Sequence, residues 1–145
     1  DAKLTPSALV LVLLKGLARI LPKLPFKSLF DEHLIVADEQ ALQAWRDDPL
    51  CCKDKFRLGY IVSIIDCLKK LPCTILPQIN LPMLMMCGDA DQVVTLSGHE
   101  LMIEGNRHSD KQLKIYLNGY HNLLQEPAIK LRVMADIQEW ILSHK

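Results

Sequence analysis

The residues most able to do chemistry stand in two short phrases of the C-terminal part of the chain. Cys87-Gly88-Asp89-Ala90-Asp91 carries two carboxylates, and Asn118-Gly119-Tyr120-His121 carries an imidazole. Each phrase follows an apolar run of strand length, so each reads as a polar turn at a strand end. A carboxylate that hydrogen-bonds a histidine fixes the imidazole tautomer and stabilises the imidazolium that forms when the ring takes a proton from a nucleophile. Such a pair supplies two members of a Ser-His-Asp triad. Asp89 and Asp91 are both candidates for the acid. Taken singly, each is as well explained as a solvated turn residue, and His121 as an incidental loop histidine. Their conjunction is the informative feature: an imidazole that follows the next strand can reach back to a carboxylate on the neighbouring strand end.

Other nucleophiles and ligands fare worse. Ser97, with Glu100 three residues on, reads as a capping box, so its hydroxyl is expected to hold a helix start. Ser7, Ser28 and Ser63 have no flanking glycines, and neither Cys52 nor Cys87 sits in a recognisable nucleophile elbow. His99 and His108 fall on that helix and its exit, with no spacing that links them to a cysteine. No metal and no other cofactor is expected.

The elements that would position the acid and base form a regular tail. Met83 to Cys87 is an uninterrupted apolar run that suits a parallel strand covered on both faces. A helix follows from Ser97 to about Asn106. Leu113, Ile115 and Leu117 then alternate with Lys114 and Tyr116 and predict a strand whose drier side is the aliphatic one. From Pro127 a last helix places Ile129, Val133, Ile137, Trp140 and Ile141 in one stripe. With one helix between them, the two strands should be parallel neighbours whose C-terminal ends share an edge, and that edge would bear Asp91 and His121.

The first half is less regular. Thr5-Pro6 is a helix start, and Ala8 to Leu14 is apolar on every side before Lys15 and Arg19 appear. The run fits a buried core helix or a lid helix that meets acyl chains or a bilayer surface, and it is far short of the roughly 20 residues that span a membrane. Residues 22–55 read as an excursion without sheet elements, helical only around Glu39 to Trp45. Phe56 to Leu71 recovers a helical pattern, with Leu58, Ile61, Ile64, Ile65 and Leu68 on one face and Pro72 at its end.

Composition narrows the function classes. Half of the 145 residues are hydrophobic, enough for a core, and 17 basic residues balance 17 acidic ones. Without a basic patch, nucleic acid is not an expected partner. Five cysteines without a C-x-x-C argue for a reduced, cytoplasmic setting and against structural zinc.

A family resemblance adds to these readings. Asp48-Pro49-Leu50-Cys51-Cys52, Leu81 to Asp91, Leu113 to Glu126 and the Trp140-bearing last helix resemble the C-terminal half of monoacylglycerol lipases, over nearly the whole chain. The resemblance implies an α/β fold: a C-terminal portion of an α/β-hydrolase core at residues 76–145, preceded by a helical cap or lid at 1–75. It further implies that Asp91 is the triad acid and His121 the base, with Asp89 at a variable position. Trp45 and Cys52 fall where that family lines the polar end of its acylglycerol pocket, and Leu11 and Leu14 would join them from the cap. Leu124 stands where some members carry a second histidine. In that fold the triad runs Ser, Asp, His along the chain, and neither G-x-S-x-G nor H-G-x-G occurs here. The expectation is therefore the acid-and-base half of a serine hydrolase for acylglycerol-type esters, cytoplasmic and peripheral on membranes, whose serine comes from a companion polypeptide. The competing reading is an inactive relative that keeps the pocket and binds a lipid or small molecule.

Overall fold

The computed structural model describes residues 7–27, 31–51 and 55–144. In the N-terminal part, helix α1 (Ala8–Ile20) begins at Ser7, whose hydroxyl accepts the Val10 N–H; the Thr5-Pro6 start lies outside the described residues. Leu14 and Ala18 of α1 pack against Leu58 and Val62 of helix α3 (Leu58–Lys70), with Phe26 beside them. Only one stripe of α1 is covered in this way. Leu9, Val12 and Leu13 are 71%, 65% and 64% exposed, whereas Leu11 is buried.

Residues 22–55 hold more order than expected. Strand β1 (Pro25–Lys27) pairs antiparallel with β2 (Lys55–Arg57), Phe26 opposite Phe56. Strands of three residues are too short to display an alternating pattern, and a partner so distant in sequence leaves no turn signal. Phe56, expected in a helix, belongs to this ribbon and stacks on Tyr60 of α3. The anticipated helix is present as α2 (Glu39–Asp47), capped by the Asp38 carboxylate on the Ala41 N–H. The face of α3 also differs. Leu58 and Val62 are buried, but Ile64 and Leu68 are exposed, because α1 covers the stripe of Leu58 and Val62 and the helical rotation turns Ile64 and Leu68 away from it. The regular α-helix stops at Lys70, ahead of Pro72, but the proline does not end the helical path: the chain winds on through it as a π-helical turn (Leu71–Ile75) and a 3-10 turn (Leu76–Gln78).

The C-terminal part follows the expected alternation. Strand β3 (Met83–Gly88) leads through helix α4 (Leu96–Gly105) to β4 (Lys111–Tyr116), and α5 (Lys130–Ser143) closes the unit. The strands are parallel and in register from Met83–Lys111 to Gly88–Tyr116, so both end at one edge. Buried Asn106 braces the opposite edge, donating to the Leu81 carbonyl and accepting the His108 N–H.

Four details depart from expectation. Helix α4 begins after Thr95 without a side-chain cap, so Ser97 is no capping residue: its hydroxyl lies 3.0 Å from that of Thr95. On β4 the buried face is that of Tyr116, while Ile115 and Leu117 are exposed, because Tyr116 packs with Leu123 and Val133 beneath α5. On α5, Val133 and Ile137 face this cluster, whereas Ile141 is exposed and Pro127 sits in the turn before the helix. Strand β3 buries Cys87 and Gly88 and leaves Met83 to Met86 half-buried, with β4 its one strand partner among the described residues.

Candidate active site

Strand β3 ends where its apolar run meets Asp89, and the turn that follows is knitted to the end of β4 by its backbone. The Asp89 N–H donates to the Tyr116 carbonyl at 3.1 Å, and the Ala90 N–H to the Gly119 carbonyl at 3.0 Å. Of the two acids, Asp91 is the one that meets His121: its Oδ2 lies 2.9 Å from His121 Nδ1. Its Oδ1 accepts the N–H groups of Val93 and Val94 at 2.8 and 3.0 Å, so both oxygens are held in place. The Asp91 side chain is 3% exposed and that of His121 40% exposed. A buried, doubly anchored carboxylate against one ring nitrogen, with the ring opening to solvent, keeps the proton on Nδ1 and leaves Nε2 as the basic atom.

Asp89 has a different task. Its Oδ1 accepts the Asn118 N–H at 2.6 Å, and Asn118 is the one non-glycine described residue with positive φ, at 58°. That left-handed turn brings Gly119 onto Gly88 so closely that a Cβ on Gly88 would lie 1.9 Å from the Gly119 oxygen. The acid turn and the base loop thus cross backbone to backbone, and glycine at the crossing is a steric requirement. Asn-Gly is a recognisable turn signal, but nothing in the sequence says which backbone the turn approaches.

Beneath this edge a polar cluster ties β4 to α5. The Asp136 carboxylate accepts the Tyr116 hydroxyl at 2.5 Å and Lys114 Nζ at 2.7 Å. Lys114 holds Asp136 below the usual carboxylate range, while burial, and then the bond to Asp136, push the Tyr116 hydroxyl up. Tyr116 is therefore a neutral donor at any physiological pH, and it is the residue whose carbonyl receives Asp89. Burial also pushes the Cys87 thiol up, with Asp91 and Asp89 adding to the effect, so Cys87 stays a thiol and a poor nucleophile.

The remaining expected site residues lie on other elements. Leu11 is buried and Leu14 packs between α1 and α3, Trp45 is half-buried on α2, and Cys52 lies outside the described residues. Among the described residues no cluster of His, Cys, Asp and Glu could hold a metal ion.

The profile of the Hydrolase_4 family, described as serine aminopeptidase S33, matches residues 1–128. This chain belongs to that family. Among curated proteins it is 28% identical over 138 residues to the monoacylglycerol lipase of Mycolicibacterium smegmatis, covering 95% of this chain and 48% of that protein. It is 26% identical over 140 residues to mouse monoglyceride lipase, covering 96% of this chain and 45% of that one. In structure it resembles the Paleococcus ferrophilus monoacylglycerol lipase with a TM-score of 0.86 and 26% identity, over 97% of this chain and 54% of that one. A soluble variant of the Saccharomyces cerevisiae monoglyceride lipase, solved with a substrate analogue, matches with a TM-score of 0.79 at 20% identity, which bears on the fold alone. The architecture is thus part of an α/β-hydrolase fold, and the relatives are serine hydrolases of the monoacylglycerol lipase type. The chain spans about half the length of the curated relatives it matches.

Proposed function

We propose that this chain carries the acid and the base of a serine hydrolase that cleaves carboxylic esters of acylglycerol-type lipids. The observation that carries the reading is the 2.9 Å contact between His121 Nδ1 and the buried, backbone-anchored Asp91 carboxylate at the shared end of two parallel strands. In this reading a serine Oγ, supplied by a segment outside these residues or by a companion polypeptide, attacks the ester carbonyl while His121 Nε2 takes its proton. The C–O bond to the alcohol then breaks, and the imidazolium returns that proton to the leaving oxygen. Water, activated by the same imidazole, hydrolyses the acyl-serine.

Asp91 orients the ring throughout. Trp45, Cys52, Leu11 and Leu14 would line the acyl path from the cap at 1–75, and the exposed aliphatic face of α1 would rest on lipid at a cytoplasmic membrane surface. Among the described residues no helix is long and apolar enough to cross a membrane. The reading is tested by Asp91→Asn in the full-length protein. Loss of the triad acid should lower kcat by about 10⁴ with the fold intact. Asp89→Asn, which keeps an oxygen for the Asn118 N–H, should cost far less. Equal losses in the two variants would reject Asp91 as the orienting acid.

A further inference from the structure

The loop that bears His121 is held from above as well as from below. Residues 35–37, in the N-terminal part of the chain, cross it as a strap with two hydrogen bonds. The Asn122 N–H donates to the Ile35 carbonyl at 2.8 Å, and the Ala37 N–H donates to Glu126 Oε1 at 2.7 Å. Between these bonds Val36 is 2% exposed, so the strap is packed and not merely laid over the surface. Asn122 is the residue next to the imidazole. Glu126 closes the loop, and its own carbonyl accepts the Ile129 and Lys130 N–H groups where the chain enters α5.

Glu126 is unusual in its own right. It is 6% exposed as a whole residue, and among the described residues only Asn106 is another polar or charged residue buried to that degree as a whole. A carboxylate placed there only to fill space would be replaced to advantage by an apolar side chain, because desolvating it is costly unless it gains hydrogen bonds. The bond it gains spans 89 residues, to a backbone amide that no other part of the histidine loop reaches.

We propose that Glu126 is a positioning residue that fastens the 35–37 strap to the histidine loop, so that placement of the cap and placement of the base are one event. The proposal rests on the reading of His121 as the general base and adds how that base is set. Its consequence is that a displacement of the strap, as when the cap admits a lipid, moves Asn122 and with it His121.

The test uses the full-length protein with Glu126→Ala and Glu126→Gln, assayed on a small soluble nitrophenyl ester and by amide hydrogen exchange. Glu126→Ala should lower kcat about tenfold or more with KM within about threefold, the scale of losing one hydrogen bond to a charged group at a site that must be held rigid. Exchange at Ala37 and Asn122 should quicken together. Glu126→Gln keeps the acceptor and should retain kcat to within about threefold. A Glu126→Ala enzyme with unchanged kcat, or exchange that quickens at Ala37 and not at Asn122, overturns the coupling. Equal loss in the Ala and Gln variants overturns it as well. If Glu126→Ala does not fold, Glu126→Asp, which withdraws the acceptor by one methylene, should show the same fall in kcat, and wild-type turnover there overturns the proposal. Failure of Asp91→Asn to impair hydrolysis would instead remove the base assignment, and the exchange readout would still report the strap.

Discussion

Replacing Gly88 by alanine should separate the two halves of the candidate catalytic pair. The added Cβ would stand 1.9 Å from the Gly119 oxygen and 2.2 Å from its carbonyl carbon, and an ordinary contact begins at 3.4 Å, so the backbones must part by about 1.5 Å. The obstacle is main chain on both sides, so no side-chain rotation relieves it. If the whole displacement fell between Asp91 and His121, their 2.9 Å contact would open to about 4.4 Å, beyond any hydrogen bond. If the strands absorbed half of it, the remaining ~0.7 Å would still misplace the imidazole by an amount for which losses on the order of 10²-fold are expected. Gly88→Ala in the full-length protein should therefore lower kcat on a soluble ester by between about 10² and 10⁴, the upper figure being that for complete loss of the orienting acid. Thermal unfolding measured alongside would report how much of the strain reaches the fold. A Gly88→Ala enzyme within threefold of wild-type turnover would refute the argument that this backbone crossing sets the acid–base geometry.

Two further outcomes follow from the same structure. His144 lies 2.7 Å from the Trp140 carbonyl through Nδ1 and 2.8 Å from Asp110 through Nε2, and these partners, the carbonyl first, raise its pKa. A raised folded-state value means that the tether stabilises fully below the unfolded histidine value of ~6.5 and is lost as pH rises through the folded one; the amide protection factors in the last turn of α5, with the intrinsic rise of exchange with pH divided out, should therefore fall above about pH 6.5 in the wild type, and pH-independent protection factors would reject the tether. At the other end of the chain, Leu9 and Leu13 are exposed while Leu11 is buried, so the pair of changes Leu9→Ser and Leu13→Ser should weaken binding to phospholipid vesicles on the order of tenfold or more and spare hydrolysis of a soluble ester. Unchanged vesicle binding would leave the exposed face of α1 without a lipid role.

The regular tail was legible because each of its elements carries its own signal. Met83 to Cys87 is apolar without a break, as a parallel strand requires, and the helices on either side of β4 are long enough for their ends to be marked locally. The same local signals identified α2 and the end of α3 before Pro72. Where the sequence misled, the missing information was a partner or a helix boundary. The β1–β2 ribbon is three residues wide and closes across a long stretch of chain. Ser97 had the spacing of a cap, yet the helix started one residue earlier, at Leu96. The aliphatic face of β4 looked like the dry one until α5 covered Tyr116 instead.

The candidate site divides in the same way. Residue type and chain order alone named Asp91, Asp89 and His121 and put them on one sheet edge, because a parallel strand pair joined by one helix must bring its C-terminal ends together. The choice of Asp91 over Asp89 at His121 was decided by the turn, which points one carboxylate at the imidazole and the other at the Asn118 N–H. The need for glycine at Gly88 arises from its backbone crossing with Gly119, about thirty residues on, and the burial of Glu126 from a strap that begins in the other half of the chain. The sequence by itself determined the chemistry on offer, since functional groups and local periodicity are properties of short segments. Only the tertiary structure decided which group faces which, since distances of a few ångströms between remote segments are set by packing that no local pattern encodes.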